Sequence, residues 1–233
     1  MSEMLKDIPV RNKELLEILN RYVDLYNTDG FMDNVHLHCE NETDEESRDR
    51  WLSEKYLQEI VNMGENHEGF PDHMVSYSFK PHQPEHNTYA FENSADIDYR
   101  KKIMDQVYST NDQMMFFLGV RNNALTSFYP PGGYISWHNN ANAAAYNLIF
   151  SWSETGDGWF KYLDPETKEI VHMQDHAGWQ CKAGYFGHYG EPDKLCYHAA
   201  STDCRRITVS FIFDISGGSM SLQDEVIEEI STE

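Results

Sequence analysis

His138 and Asn140 stand two positions apart at the end of the apolar run Tyr134–His138. A period of two places both side chains on one face of a strand. Sixty residues later, His198 stands in a second β-rich run, Leu195–Ala199. Two imidazoles and an amide oxygen on neighbouring strands would suit a divalent metal with open coordination positions. Arg205-Arg206 then opens the run Ile207-Thr208-Val209-Ser210-Phe211. Arg206, Thr208 and Ser210 share one face of that strand, opposite Ile207, Val209 and Phe211. A guanidinium beside two hydroxyls suits a carboxylate ligand, which arginine binds bidentately. A register slip of one residue would turn Arg205 inward instead, so both arginines are candidates.

Other reactive residues are read more plainly. Cys196 shares a face with His198 by the same period, and a small buried apolar side chain is the better reading. His36-x-His38 followed by Cys39 is a second alternating set, read as a strand edge before a structural metal. His172 and His176 are four apart in a run without helical character, so two metal ligands on one helix face are not signalled. There is no G-x-S-x-G elbow, phosphate-binding P-loop or dinucleotide-binding G-x-G-x-x-G.

Elements must carry these residues. Asn12–Tyr26 has apolar residues at helical spacing. Thr43 with Glu46 forms a capping-box pattern ahead of a second helix whose apolar face is Leu52, Tyr56, Leu57, Ile60 and Val61. The stretch from about Gly64 to Pro84 is rich in Gly, Pro, His and Asn and reads as a loop. A third helix fits Asp96–Tyr108. Short β runs follow: Met115–Val120, Leu125–Tyr129, Tyr134–His138, Tyr146–Trp152, Trp159–Leu163, Glu169–Met173, Gly184–Gly187, Leu195–Ala199 and Ile207–Phe213. Thr155-Gly156-Asp157-Gly158 and Asp164-Pro165-Glu166-Thr167 read as hairpin turns. Many short strands with tight turns predict a sandwich, barrel or jelly roll. The expected organisation is one domain over residues 1–215, helical to about 110 and β from about 111 to 215. Residues 216–233 form an acidic tail or short helix, with Asp224–Ile230 the helical candidate.

The 233 residues hold 18 Lys and Arg against 39 Asp and Glu, a net charge of −21. Such a surface repels phosphate backbones and anionic membranes, so nucleic acid and membrane are not expected partners. No apolar run approaches the roughly 20 residues of a membrane span. The N-terminus lacks the basic-then-apolar order of a signal peptide. Cys39, Cys181, Cys196 and Cys204 form no CxxC pair. Free thiols in a reducing cytoplasm are the expectation.

The region 125–213 resembles the Fe(II)/2-oxoglutarate-dependent oxygenases. The resemblance is carried by Phe128-Tyr129-Pro130-Pro131-Gly132-Gly133-Tyr134-Ile135-Ser136-Trp137-His138, by Gly156-Asp157-Gly158-Trp159-Phe160 and by Arg206-Ile207-Thr208-Val209-Ser210-Phe211. Tyr129-Pro130 and Tyr134 are most similar to the prolyl-hydroxylase branch, and similar members occur in marine phages. The resemblance implies a mainly β fold with helical support, a double-stranded β-helix of the jelly-roll or cupin kind. It implies Fe(II) held by His138, Asn140 and His198, with Arg206 on the distal carboxylate of 2-oxoglutarate. Thr208, Tyr129 and Tyr134 would be cosubstrate or substrate contacts. Dioxygen would be consumed, with ascorbate as accessory reductant. A peptide side chain of the prolyl kind or a small molecule would be oxidised, giving succinate as co-product.

The chain departs from that family at one point. Position 140 is Asn where the family has an acid, and residues 137–145 contain no Asp or Glu. Glu154 and Asp157 sit at a turn and are poorly placed to substitute. Three consequences stay open. Asn140 coordinates, with weaker iron binding; a halide or water takes the vacant place, as in the halogenase members; or redox chemistry is absent and the chain is a cupin-like metal- or ligand-binding protein.

Overall fold

The long strands Gly178–Phe186 and Arg206–Phe213 each carry an apolar side and a more polar side, so the architecture follows from what covers each. The computed structural model describes residues 4–31, 38–39, 45–79, 97–120, 122–141, 143–213 and 220–233. The strands are β1 (Leu5–Ile8), β2 (His38–Cys39), β3 (Met74–Phe79), β4 (Asn122–Tyr129), β5 (Tyr134–His138), β6 (Ala145–Ser153), β7 (Gly158–Leu163), β8 (Ile170–Gln174), β9 (Gly178–Phe186), β10 (Tyr197–Thr202) and β11 (Arg206–Phe213). The helices are α1 (Lys13–Tyr26), α2 (Glu45–Trp51), α3 (Glu54–Met63), α4 (Ile97–Leu118) and α5 (Met220–Ser231).

The strands run antiparallel in the order β1-β9-β6-β11-β4-β3-β5-β10-β7-β8, with β2 paired to β3. β3 is the fold line. Its residues Tyr77–Phe79 pair with β4, while Met74 and Val75 pair with β5. The sheet thus curls into two layers, a double-stranded β-helix as expected.

The apolar side of the first layer faces the helices. Ile207, Val209 and Phe211 pack in one cluster with Leu15, Leu19 and Tyr22 of α1 and Ile103, Val107 and Met114 of α4. Full burial of each large aliphatic or aromatic side chain is worth about 1.5–3 kcal/mol. A polar knot sits inside this apolar seam. The Tyr22 hydroxyl donates to Asn111 Oδ1 at 2.6 Å, Thr126 Oγ1 donates to the same oxygen at 3.0 Å, and Asn111 Nδ2 donates to Asn123 Oδ1 at 3.2 Å. It ties α1, α4 and β4 in one register.

The structure corrects several expectations. Met115–Val120 is not a strand: α4 runs past Tyr108 to Leu118. Five successive apolar residues imitated a buried strand, while the polar Thr110 and Asn111 interrupted the helical period at buried positions. Phe116 faces solvent, 91% exposed. The helix ends on Gly119 at φ 66°, with Val120 N–H donating to Met115 O and Gly119 N–H to Phe116 O. That is a Schellman stop, and glycine enters its left-handed position without strain. The loop expected over residues 64–84 contains β3, hidden by the surrounding breaker residues. The second helix is split into α2 and α3, because the Ser53 side chain accepts from Tyr56 N–H and starts a new helix; Thr43 lies outside the described residues. The turn at 155–158 does not close a hairpin. It carries the chain from β6, paired with β9 and β11, to β7, paired with β8 and β10. Asp164–Thr167 does join a hairpin, β7 to β8. The final segment is a docked helix: Ile230 is fully buried and its carbonyl accepts from Arg11 and Asn12.

Replacing Asn111 with Leu leaves the buried Tyr22 hydroxyl without its acceptor and removes the Asn111 donor from Asn123 Oδ1, while the Thr126 hydroxyl keeps Asn123 Oδ1 at 3.3 Å. Urea unfolding is expected to show a loss of about 1–3 kcal/mol, the cost of orphaned buried polar groups.

Candidate functional site

His138 and His198 lie directly opposite each other across β5 and β10, with ring centroids 4.1 Å apart. The pairing slips between His198↔His138 and Ala200↔Ile135, a β-bulge. A regular strand would send Ile135 and His138, three residues apart, to opposite faces; the bulge turns both into the same cavity. Each ring is oriented by backbone. His138 Nδ1 is 2.8 Å from the Ser136 carbonyl and His198 Nδ1 is 3.0 Å from the Cys196 carbonyl. A carbonyl oxygen only accepts, so Nδ1 carries the proton and the lone pair of each neutral ring is on Nε2. Burial lowers His198 to about 4, against the Cys196 carbonyl that favours the charged form.

Asn140 reaches the same cavity by another route. β5 ends at His138, so a shared strand face does not explain its position. Asn140 and Ala141 take left-handed backbone at φ 64° and 56°. Asn tolerates that conformation better than most residues. The Asn140 N–H donates to Gly69 O at 2.8 Å, and Asn139 Oδ1 accepts from Ala141 N–H. Gly69 is required there: a Cβ would lie 2.2 Å from Ala141 N.

The cavity is about 390 Å³. Arg206 and Tyr129, paired across β11 and β4, close one end. Thr208 and Ser210 follow Arg206 along one wall, Ala200 of β10 and Phe160 of β7 line the cavity from the other layer, and Phe186 of β9 packs on His198 with ring centroids 4.9 Å apart. Ile212, Ala124, Ala143 and the half-exposed Phe70 surround the other end. Arg206 is the ionised group among the lining residues described.

Of the two arginines, Arg206 points inward, 1% exposed, and Arg205 points outward to Glu154 at 2.6 Å and Asn27 at 2.6 Å. Tyr129 lines the cavity. Tyr134 does not: it is buried against His73, its hydroxyl 2.7 Å from Nδ1. Cys196 is fully buried beside Phe160 and Phe186, outside the lining. His172 packs on Trp159, and His176 is exposed. Asp157 bonds Thr155 at the surface. His38 and Cys39 form β2, whereas His36 lies outside the described residues.

Two charged residues escaped sequence reading. Arg206 Nε donates to Asp175 Oδ2 at 2.7 Å, Nη1 to Thr208 Oγ1 at 2.5 Å and Nη2 to Ser151 Oγ at 3.1 Å. Lys182 Nζ is 3.6 Å from Asp175 Oδ1 and donates to Gln180 Oε1 at 3.3 Å. Asp175 and Lys182 are buried. Burial pushes the Asp175 carboxyl up, but Arg206 and Lys182 pull harder, so it stays below the ordinary range. Burial lowers Lys182, partly offset by Asp175. Asp175 lies in a turn, where spacing marks nothing. Lys182 alternates with Trp179, Cys181 and Ala183, a pattern that reads as a solvent face.

Among the described residues, no three His, Cys, Asp or Glu side chains cluster around a metal position. The donor set is still chemically suited to a divalent cation. Two imidazoles, each with Nδ1 held by a backbone carbonyl, meet an amide side chain in one cavity, and Nδ1–carbonyl bonds of this kind fix ligand orientation.

The lowered Asp175 carboxyl gives a pH dependence. Its ion pairs stabilise the fold above the ordinary carboxylate range and are lost as pH falls through its depressed pKa. Urea unfolding is therefore expected to show wild type well above Asp175→Asn at neutral pH, with the gap closing in acid; a constant gap would refute this.

Neither a family model nor a curated protein sequence matches the chain. Among solved structures, it is similar to a prolyl-4-hydroxylase of Pseudomonas putida (14% identity, 90% of this chain and 92% of that one, TM-score 0.41). It is similar to the viral collagen prolyl hydroxylase of Paramecium bursaria Chlorella virus-1 (11%, 70% and 91%, 0.30). It is also similar to the dioxygenase for auxin oxidation 1 of Arabidopsis thaliana (11%, 88% and 81%, 0.32).

Proposed function

We propose that the chain is an Fe(II)- and 2-oxoglutarate-dependent oxygenase of the prolyl-hydroxylase-like kind, hydroxylating a peptide side chain or a small molecule. One observation carries the reading. The directly paired His138 and His198 share a cavity with the buried guanidinium of Arg206 at its end. A metal ligand pair and an anion anchor are the two requirements for a chelating oxo acid.

His138, Asn140 and His198 would hold the metal, which when bound supplies the activation of dioxygen. Arg206 and Thr208 bind the distal carboxylate and orient the oxo acid along the wall from Arg206 toward the histidines. Tyr129 packs beside the guanidinium, with the Arg206 carbon 5.7 Å from the ring centroid. Ile135, Ile149, Phe160 and Phe186 keep the interior apolar and exclude water from the reacting centre. The substrate enters past Phe70.

A second reading, a non-redox cupin-like metal- or ligand-binding protein, is favoured by the neutral Asn140 and by the absence of any acid among the described lining residues. Anaerobic titration with Fe(II) and then 2-oxoglutarate separates the two. The oxygenase reading expects a visible charge-transfer band, lost in His138→Ala and Arg206→Ala, and succinate formation in air. Asn140→Asp is expected to tighten iron binding by about tenfold or more, or about 1.4 kcal/mol. No band in wild type and no gain in Asn140→Asp would overturn the oxygenase reading. A band that requires chloride would instead indicate a halogenase.

A further inference from the structure

The interior polar face of the first layer holds more charge than a carboxylate anchor needs. Arg206, Lys182 and Asp175 are all buried and sum to one net positive charge. Gln180, on the same strand face as Lys182, is also buried, and its Nε2 has no hydrogen-bond partner among the described residues. A buried unit of positive charge with a spare donor calls for an anion.

The geometry assigns parts within this set. Asp175 takes the Nε edge of Arg206, while Thr208 and Ser151 each take one terminal N–H. Three of five N–H groups are thus placed, and the remaining two lie on the terminal nitrogens. Asp175 is itself held: its N–H donates to Gly158 O at 2.9 Å. A Cβ on Gly158 would lie 2.7 Å from Asp175 Oδ2. Only glycine leaves room for the carboxylate at that point.

Resting on the oxygenase reading, we propose that Asp175 is a positioning residue for the oxo acid. It clamps Arg206 so that the terminal nitrogens face the cavity, and Lys182 offsets its charge so that the set stays net positive toward the distal carboxylate. Asp175 touches neither metal nor oxo acid in this assignment.

The sign of one substitution makes the test sharp. Asp175→Asn adds a unit of positive charge. If Asp175 were only a competing anion, its removal would tighten the oxo acid. If it positions Arg206, removal loosens it. Calorimetric titration of Mn(II)-loaded protein compares 2-oxoglutarate with 2-oxobutyrate, which lacks the distal carboxylate. Asp175→Asn is expected to weaken 2-oxoglutarate by at least about tenfold and to leave 2-oxobutyrate within about twofold. The double variant Asp175→Asn/Lys182→Met restores the net charge of one but not the clamp, and is expected to stay weak. Gly158→Ala keeps every charge while crowding Asp175 off Arg206, is expected to show the same selective loss, and decides the matter should Asp175→Asn fail to fold. Unchanged or tighter 2-oxoglutarate binding in Asp175→Asn, recovery in the double variant, or equal loss of both oxo acids would overturn the assignment. Wild-type protein that binds neither oxo acid overturns the oxygenase reading itself.

Discussion

A guanidinium 1% exposed inside a β-sandwich is the constraint around which this structure is arranged. A buried charge is tolerated only when it is paired and hydrogen-bonded. Arg206 obtains its carboxylate from Asp175 at the turn between β8 and β9, and its hydroxyls from β11 and β6. Meeting that demand requires three distant stretches of chain to converge. It also requires Gly158, where any side chain would displace the carboxylate.

The rest of the fold makes the inward turn of polar residues possible. The first layer presents Ile207, Val209 and Phe211 to α1 and α4, and that seam supplies the burial that drives assembly. Its opposite side is then free to carry Arg206, Thr208, Ser210, Gln180 and Lys182 into the interior. The second layer brings the histidines, and does so through an irregularity. Without the bulge in β5, Ile135 and His138 would not share a cavity wall. Without the left-handed turn pinned by Gly69, Asn140 would leave the cavity. Bulges and left-handed residues concentrate at such sites because they aim side chains where a regular strand cannot.

Much of this was legible in the residues. The spacing of His138 and His198, and the alternation Arg206, Thr208, Ser210, identified side chains that the fold does bring to one cavity. α1 followed from periodicity and β5 from composition, with correct bounds for β5. The failures have specific causes. Asn111 and Thr110 sit at buried helix positions, so α4 broke its own period and its apolar end imitated a strand. Tyr129 and Tyr134 were equivalent on sequence, and a pairing with His73 separates them.

The sequence by itself determined which residues could do the chemistry and, for β11, which face was apolar, because both depend on residue type and a local period of two. It also determined that the site lacks a carboxylate ligand in residues 137–145. Only the tertiary structure decided which strand face is the interior. In a two-layered barrel, one side of the sheet meets helices and the other meets the cavity, so polar no longer means solvent. That is why Lys182 and Asp175 were invisible beforehand, and why Arg206 rather than Arg205 is the inward arginine.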